Sequence, residues 1–418
     1  MSGNIMNAAV MGMNAQTSWL ATISQNIANS STTGYKDAET EFSSLVDQAG
    51  AGNYSAGGVA TNSMSMNAEQ GSVVGTSTVT DLAVQGNGFF VVSNAAGDIF
   101  LTRNGSFVPD SSGNLVNSAG YYLMARPADA TAPAAANSFT DLQKVNVDST
   151  GILSSPTTSG TLTGNLPSTA TVVAAASTPA SGGSTYTEKT SLVTYDDLDA
   201  PVTLDIYMTK VADNPAGTPN WEVDVYNSAG AAAGGGFPYS AGSLLTTQTL
   251  TYSPTTGQLT SGSPLSLAIP NGQTMTLDMS ATSQLDAGYT VTGTANGSAP
   301  ETQTGVSIDP SGTLSFTYSG GTSVAAYTIP LVTVASPDNL TSVNGTVYST
   351  NVNSGEPQRG TAGTSGYGSI ESSSLEDSTV DLATQLTAMI QAQAGYEANS
   401  KVFQTGANLL DILNKIQA

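Results

Sequence analysis

The 418-residue chain has neither cysteine nor histidine. Without them there is no thiolate or imidazole to ligate a metal, no thiol nucleophile, and no side chain whose ordinary pKa lies near neutrality. Absent cysteine also suits a chain that must stay unlinked outside a reducing cytoplasm. No lysine follows a serine by three residues, so the serine–lysine hydrolase pattern is missing as well. Cations are scarce. Lys+Arg total 9 against 31 Asp+Glu, and the net charge of −22 makes nucleic acid and anionic membranes poor partners. No apolar run reaches the roughly 18 residues of a membrane span, and residues 1–30 show neither the basic nor the apolar part of a secretory signal. No carboxylates converge on a pair. These absences argue against an enzyme, against a cofactor or metal, and against membrane insertion.

What the chain does contain is Gly, Ser, Thr, Ala and Asn throughout, with only 10% charged residues and 39% hydrophobic ones. That is the composition of β-sheet and turns around a modest core, too apolar for a disordered chain. The length predicts roughly two to four domains.

The two ends differ from the rest. Met6, Met13, Leu20 and Ile27 recur every seventh residue, with Ala9 and Ile23 three residues after two of them, a narrow helix-against-helix seam. The pattern stops in NIANSSTTGYK (26–36), where short polar side chains compete with helix for the backbone and Gly34 supplies left-handed freedom. At the other end Leu375, Leu382, Met389, Tyr396, Phe403 and Leu410 form a second series at spacing seven. Asp377 and Asp381 near its start, and Lys401 and Lys415 later, complement a helix dipole. Helices are expected over about 4–28 and 375–416. Gly395 and Gly406 weaken the second by about 1 kcal/mol each. Burying six seam residues contributes at most ~9–18 kcal/mol, whereas fixing ~40 residues of backbone costs on the order of 40–80 kcal/mol. Two readings follow: ends that are loose in an isolated subunit and ordered by other helices, or a two-helix hairpin packed on the chain's own core. Periodicity does not choose between them.

Between the ends the sequence is β-like. Residues 82–126 alternate short apolar strands with Gly-centred turns, a meander signature. Gly86-Asn87-Gly88 precedes a strand rather than a helix and reads as a turn, not a phosphate loop. DSSG (110–113) and DPSG (309–312) lack the further ligands of a calcium loop and read as hairpin turns. Residues 127–185 are rich in Ala, Thr, Ser, Gly and Pro, and clear strands resume at 190–197, 200–209 and 220–227. The scattered acidic residues read as solvated surface, and no aromatic cluster marks a small-molecule site. The expected fold is mainly β and multidomain, with meander or barrel-like domains. Its N- and C-terminal α-helices form a coiled-coil-type layer, and outer domains are inserted between the termini.

Three stretches carry a resemblance to a known family. SQNIANSSTTGYK (24–36), the pair LAVQGNGFFVV and FLTRNGSFVPDSSGNLVNSAGYYLMA, and SGEPQRGT through LLDILNKI (354–416) resemble the flagellar rod and hook axial proteins. Two positions depart from the family pattern: Ser378-Thr379 stands where Ser-Asn is usual, and Ala394-Gly395 where an Arg-containing pair is common. The large insertion favours hook over distal rod.

The resemblance implies a structural subunit of the flagellar hook, self-assembling into a curved tube that acts as a universal joint between motor and filament. The subunit would leave the cell through the flagellar type III export apparatus without a cleavable signal and reside in the extracellular hook. Its partners would be copies of itself and the distal rod, hook cap and hook–filament junction proteins. Residues 1–35 with 375–418 would form a terminal helical domain, 36–70 a linker, 71–144 with 327–374 a proximal β domain, and 145–326 the inserted outer β domain or domains. The ten seam residues become candidate assembly contacts. Asn26, Asn29, Thr33, Gly34, Tyr35 and Lys36 become the exit from the helical layer, with Tyr35 packing as its anchor. A rod or hook-associated protein, and a monomeric extracellular binding module, are the competing readings.

Overall fold

The helical periodicity at the N-terminus becomes helix α1, Ser2–Ala28. It ends as the polar stretch requires: the Asn29 amide and side-chain amide both donate to the Gln25 carbonyl, at 3.2 and 2.9 Å, and Gly34 adopts φ +68°. The structure is a computed structural model that describes residues 2–47, 55–130, 137–148, 151–214 and 217–417. It divides into one unit comprising Met1–Thr150, Thr304–Thr317 and Gly321–Ala418, and a second comprising Gly151–Gln303 and Tyr318–Gly320.

In the first unit the segment expected as a linker is instead a hairpin, β1 (Ala38–Asp47) antiparallel to β2 (Ser55–Ser65). Its contact with α1 is made by small hydroxyl residues: Thr40 Oγ1 donates to Thr22 Oγ1 at 2.9 Å, and Ser63 Oγ lies 3.2 Å from both. Trp19 meets Phe42 edge-on, at 5.7 Å between ring centres. Contacts made through hydroxyls carry no hydrophobic signal, so the strands read as linker.

The 82–126 meander supplies the core of this unit, with Leu82, Val84, Phe90, Val92, Phe107 and Leu123 all fully buried. The main sheet has the strand order 303–308, 313–318, 323–328, 122–127, 89–93, 99–102, 347–349, 341–344. Its first two strands, and most of the third, fall within the range expected for the insertion. They join this sheet because Ile308 and Leu314 bury themselves in its core, with Val306 and Phe316 packed against it. The inserted unit is accordingly shorter than 145–326. The strand orders of all sheets among the described residues are open, which corrects the expectation of barrel-like closure.

The C-terminal helix, α2, spans Leu382–Gln417 rather than starting at 375. Leu375 lies in the strand Ser374–Glu376, paired with Val74. The helix starts where Asp381 caps it, its Oδ1 accepting from the amides of Ala383 (2.8 Å) and Thr384 (3.2 Å). The seven-residue spacing of Leu375 from Leu382 is therefore fortuitous.

The second unit contains an antiparallel meander of Glu188–Tyr195, Pro201–Val211, Asn220–Asn227, Leu244–Tyr252 and Leu259–Ser261. Another sheet is built around Ser159–Pro167. Leu204, Ile206, Trp221, Val223 and Val225 of the meander share one core with Leu162, Leu277 and Met275 of the other sheet. No described helix is long and apolar enough to cross a membrane.

Candidate assembly site at the two chain ends

α1 and α2 pair within the chain, running antiparallel. They meet through small residues. A Cβ on Gly12 would stand 2.8 Å from the Asn399 side chain, one on Gly395 2.9 Å from Gln16, and one on Gly406 2.9 Å from Met6. Ala9, Ala15 and Ile23 of α1 and Ala392 of α2 are buried. The glycines that lower α2's intrinsic helicity are the positions that let the helix axes approach, a role that propensity alone does not reveal.

Met6 packs on Gly406 within this contact, and the seam residues as a set are only partly covered. Met6, Met13, Leu20 and Ile27 on α1, and Met389, Phe403 and Leu410 on α2, are half-buried. Leu382 and Tyr396 are exposed, at 47% and 42%. Leu386, Ile390, Val402, Leu409 and Ile412 of α2 are exposed too, Ile390 to 67%. The helix pair thus approaches closely at its small residues and leaves a band of large apolar side chains on α2 uncovered.

The exit motif ties both ends of the chain together. Asn26, 1% exposed, brackets Ala38: its Nδ2 donates to the Ala38 carbonyl and its Oδ1 accepts from the Ala38 amide, both at 2.9 Å. The Tyr35 hydroxyl donates to the same Oδ1 at 3.2 Å, and burial together with Asp37 raises the Tyr35 pKa. Asn29 accepts from Thr32 Oγ1 at 3.1 Å, and Thr33 is half-buried. Gly34 donates its amide to the Glu376 carbonyl at 2.8 Å, and a Cβ there would sit 2.7 Å from the Asn104 amide nitrogen. Thr379, the departure from the family pattern, accepts from the Asp37 amide at 2.9 Å and donates to Asp37 Oδ1 at 3.0 Å.

Lys36 is not a surface cation. Its side chain is fully buried, donating to Glu376 Oε1 and to the Glu69 carbonyl. Glu376 also accepts from the Gly71 amide at 2.7 Å and faces Arg103 Nη1 at 3.6 Å, while the Arg103 guanidinium stacks 4.7 Å above the Phe89 ring. Two cations thus share one carboxylate in the interior. Burial lowers the proton affinity of Lys36, against the pull of Glu376, and lowers that of Arg103 in the same way. Glu376 and Arg103 carry no local sequence signal. Their partnership with Lys36 spans 340 residues in the case of Glu376.

In the second unit the structure corrects two further expectations. Asp205 and Asp224 are buried acids, not solvated surface. Tyr207, Tyr226, Phe237 and Tyr239 form an aromatic cluster, with Tyr226 and Tyr239 ring centres 4.5 Å apart.

Family models match along the chain: a flagella basal body rod protein model over 6–36, a flagellar hook protein FlgE/F/G D1 domain over 83–155, a flagellar basal body protein FlaE D2 domain over 165–297, and a flagellar basal body rod FlgEFG protein C-terminal model over 371–416. The flagellar hook protein FlgE of Brucella abortus is 42% identical over 412 residues, covering 98% of both chains. The chain belongs to the flagellar hook protein family. The hook protein of Rhizobium meliloti is 40% identical over 98% of this chain and 97% of its own, and that of Escherichia coli 28% over 97% and 98%. The crystal structure of Helicobacter pylori hook protein FlgE2 shares the fold at a TM-score of 0.51 and 13% identity, covering 71% of this chain and 99% of that one. The protein is thus a structural subunit of the flagellar hook, a homopolymeric assembly.

Proposed function

We propose that the hook protein polymerises through the large apolar side chains that its own helix pair leaves uncovered, and that its role is mechanical rather than catalytic. The carrying observation is the exposure of Leu382, Leu386 and Ile390 at successive turns of α2. Met6, Met13, Leu20, Ile27, Met389, Tyr396, Phe403 and Leu410 complete these contacts with neighbouring copies, forming an inner helical layer. Leu375, held in a strand, steadies the segment leading into it. The polymer is a curved tube transmitting torque as a universal joint, with small polar β surfaces sliding as it bends. Subunits reach it through the flagellar type III export apparatus, and its ends meet the distal rod, hook cap and hook–filament junction proteins.

The test uses Leu386→Ser with Ile390→Ser in the full chain. Both positions are exposed in the subunit, so its unfolding midpoint stays that of the parent. The protein concentration at which tubes form, seen by negative-stain electron microscopy, rises about tenfold for each ~1.4 kcal/mol by which association weakens. Tubes forming at the parental concentration would refute this role for α2.

A further inference from the structure

The strand Asn220–Asn227 turns Trp221, Val223 and Val225 into the core of the second unit and puts Glu222 and Asp224 on its other face. Asp224 is fully buried and Glu222 half-buried. Glu222 Oε1 and Asp224 Oδ1 are both inaccessible and receive no hydrogen bond. Directly across from Glu222, on the neighbouring strand, stands Thr209, itself fully buried, whose Oγ1 also lacks a partner. Three orphan oxygens therefore occupy one patch of one sheet face. Among the described residues no cationic side chain pairs with either carboxylate: Lys189 pairs with Asp205 at 3.0 Å and Lys210 with Asp213 at 2.8 Å. Two acids held from water without a counter-charge are costly. The other Asp224 oxygen, Oδ2, accepts from the Ala180 amide at 3.3 Å.

We propose that Glu222, Asp224 and Thr209 form a binding site for a hard divalent cation of the calcium class. All three donors are oxygen, two of them carboxylate, which is the ligand chemistry of Ca²⁺ rather than of softer metals. Thr247, opposite Asp224 on the next strand, is exposed and bonds the Asp224 carboxyl through its side chain, so it borders the patch on the solvent side. With only two carboxylates the dissociation constant falls in the range of extracellular modules, about 0.1–1 mM.

The chain's two tryptophans make the test direct. In a full-length Trp19→Phe background, Trp221 is the sole tryptophan and the sequence neighbour of Glu222. Titration with Tb³⁺ gives saturable, Trp221-sensitised emission that Ca²⁺ displaces, and Ca²⁺ raises the unfolding midpoint read from Trp221. Glu222→Gln and Asp224→Asn weaken Tb³⁺ binding by about tenfold or more. Thr209→Val, which changes no charge, weakens it less and guards against a folding artefact. Unsaturable emission overturns the site. So does emission that survives Asp224→Asn, which reports lanthanide on the acidic surface. Asp224→Asn that stabilises the chain while Ca²⁺ has no effect on the parent also overturns it, in favour of a proton shared by the two acids.

Discussion

Glu376→Gln is the substitution that most cleanly isolates what joins the two ends of the chain. The amide oxygen can still accept from Lys36 and from the Gly71 amide, so shape and hydrogen-bond number are nearly conserved while the charge is removed. What remains is two cations, Lys36 and Arg103, both essentially inaccessible, with no carboxylate between them. Breaking a buried ion pair by deleting one member typically costs about 3–5 kcal/mol, and the retained hydrogen bonds place this case near the lower end, about 3 kcal/mol. Against a typical total of ~5–15 kcal/mol that is a large loss. The two units need not unfold together, so a single midpoint would mislead. Trp19 lies in the first unit and Trp221 in the second. Trp221→Phe and Trp19→Phe backgrounds therefore report each unit separately in urea titrations. The loss should appear only in the Trp19 transition. The pair Lys36→Met with Glu376→Gln should cost about 1–3 kcal/mol less than the sum of the singles, since one stranded cation has gone. A loss below about 1 kcal/mol, or one shared by the Trp221 transition, would refute the view that this carboxylate holds the ends in register.

Two further outcomes test neighbouring parts of the structure. Gly395→Val, which puts a branched side chain against Gln16, should cost about 1–3 kcal/mol in the Trp19 transition although valine is the better helix former; an unchanged midpoint would mean the helices do not approach at this glycine. Asp141 accepts from Arg359 Nη1 at 2.6 Å and Nη2 at 3.0 Å, and this pairing holds its carboxyl below the usual range. Its contribution is complete above the unfolded carboxylate value of about 4 and is lost as pH falls through the lower folded value. Subtracting the acid unfolding curve of Asp141→Asn from that of the parent should therefore leave a slope confined to this acid window.

How much of this is legible before folding depends on the distance over which each signal acts. The end of α1 is written locally, because Asn29 and its neighbours bond the backbone within one turn. The meander is likewise local, as each strand carries its own apolar run and its own turn. The start of α2 misleads because Leu375 continues the spacing of seven by coincidence, while the cap at Asp381 acts through two amides that only the fold identifies. The hairpin escapes detection because Thr22 of α1 meets Thr40 of the hairpin, and both bury hydroxyls instead of hydrocarbon. Glu376 has no readable role at all, since nothing near it in sequence announces Lys36.

The spacing of seven in each helix is present in the fold as an apolar stripe, yet apart from Met6 on Gly406 the closest approach of the helices is not made by that stripe. A heptad of large residues says that a helix has an apolar side, not which surface will cover it. Here the close approach of α1 and α2 is set by Gly12, Gly395 and Gly406, where side-chain volume is absent. Small residues bring two helices of one chain together at little cost in apolar area, and so leave much of the larger stripe uncovered in the subunit. A monomeric protein would be expected to reverse this allocation, burying Leu386 and Ile390 in its own core, because uncovered apolar bands of that kind favour association. The exposed band on α2 fits the assembly role proposed above: glycine lets the two helices of the subunit approach, while leucine and isoleucine on α2 are left uncovered.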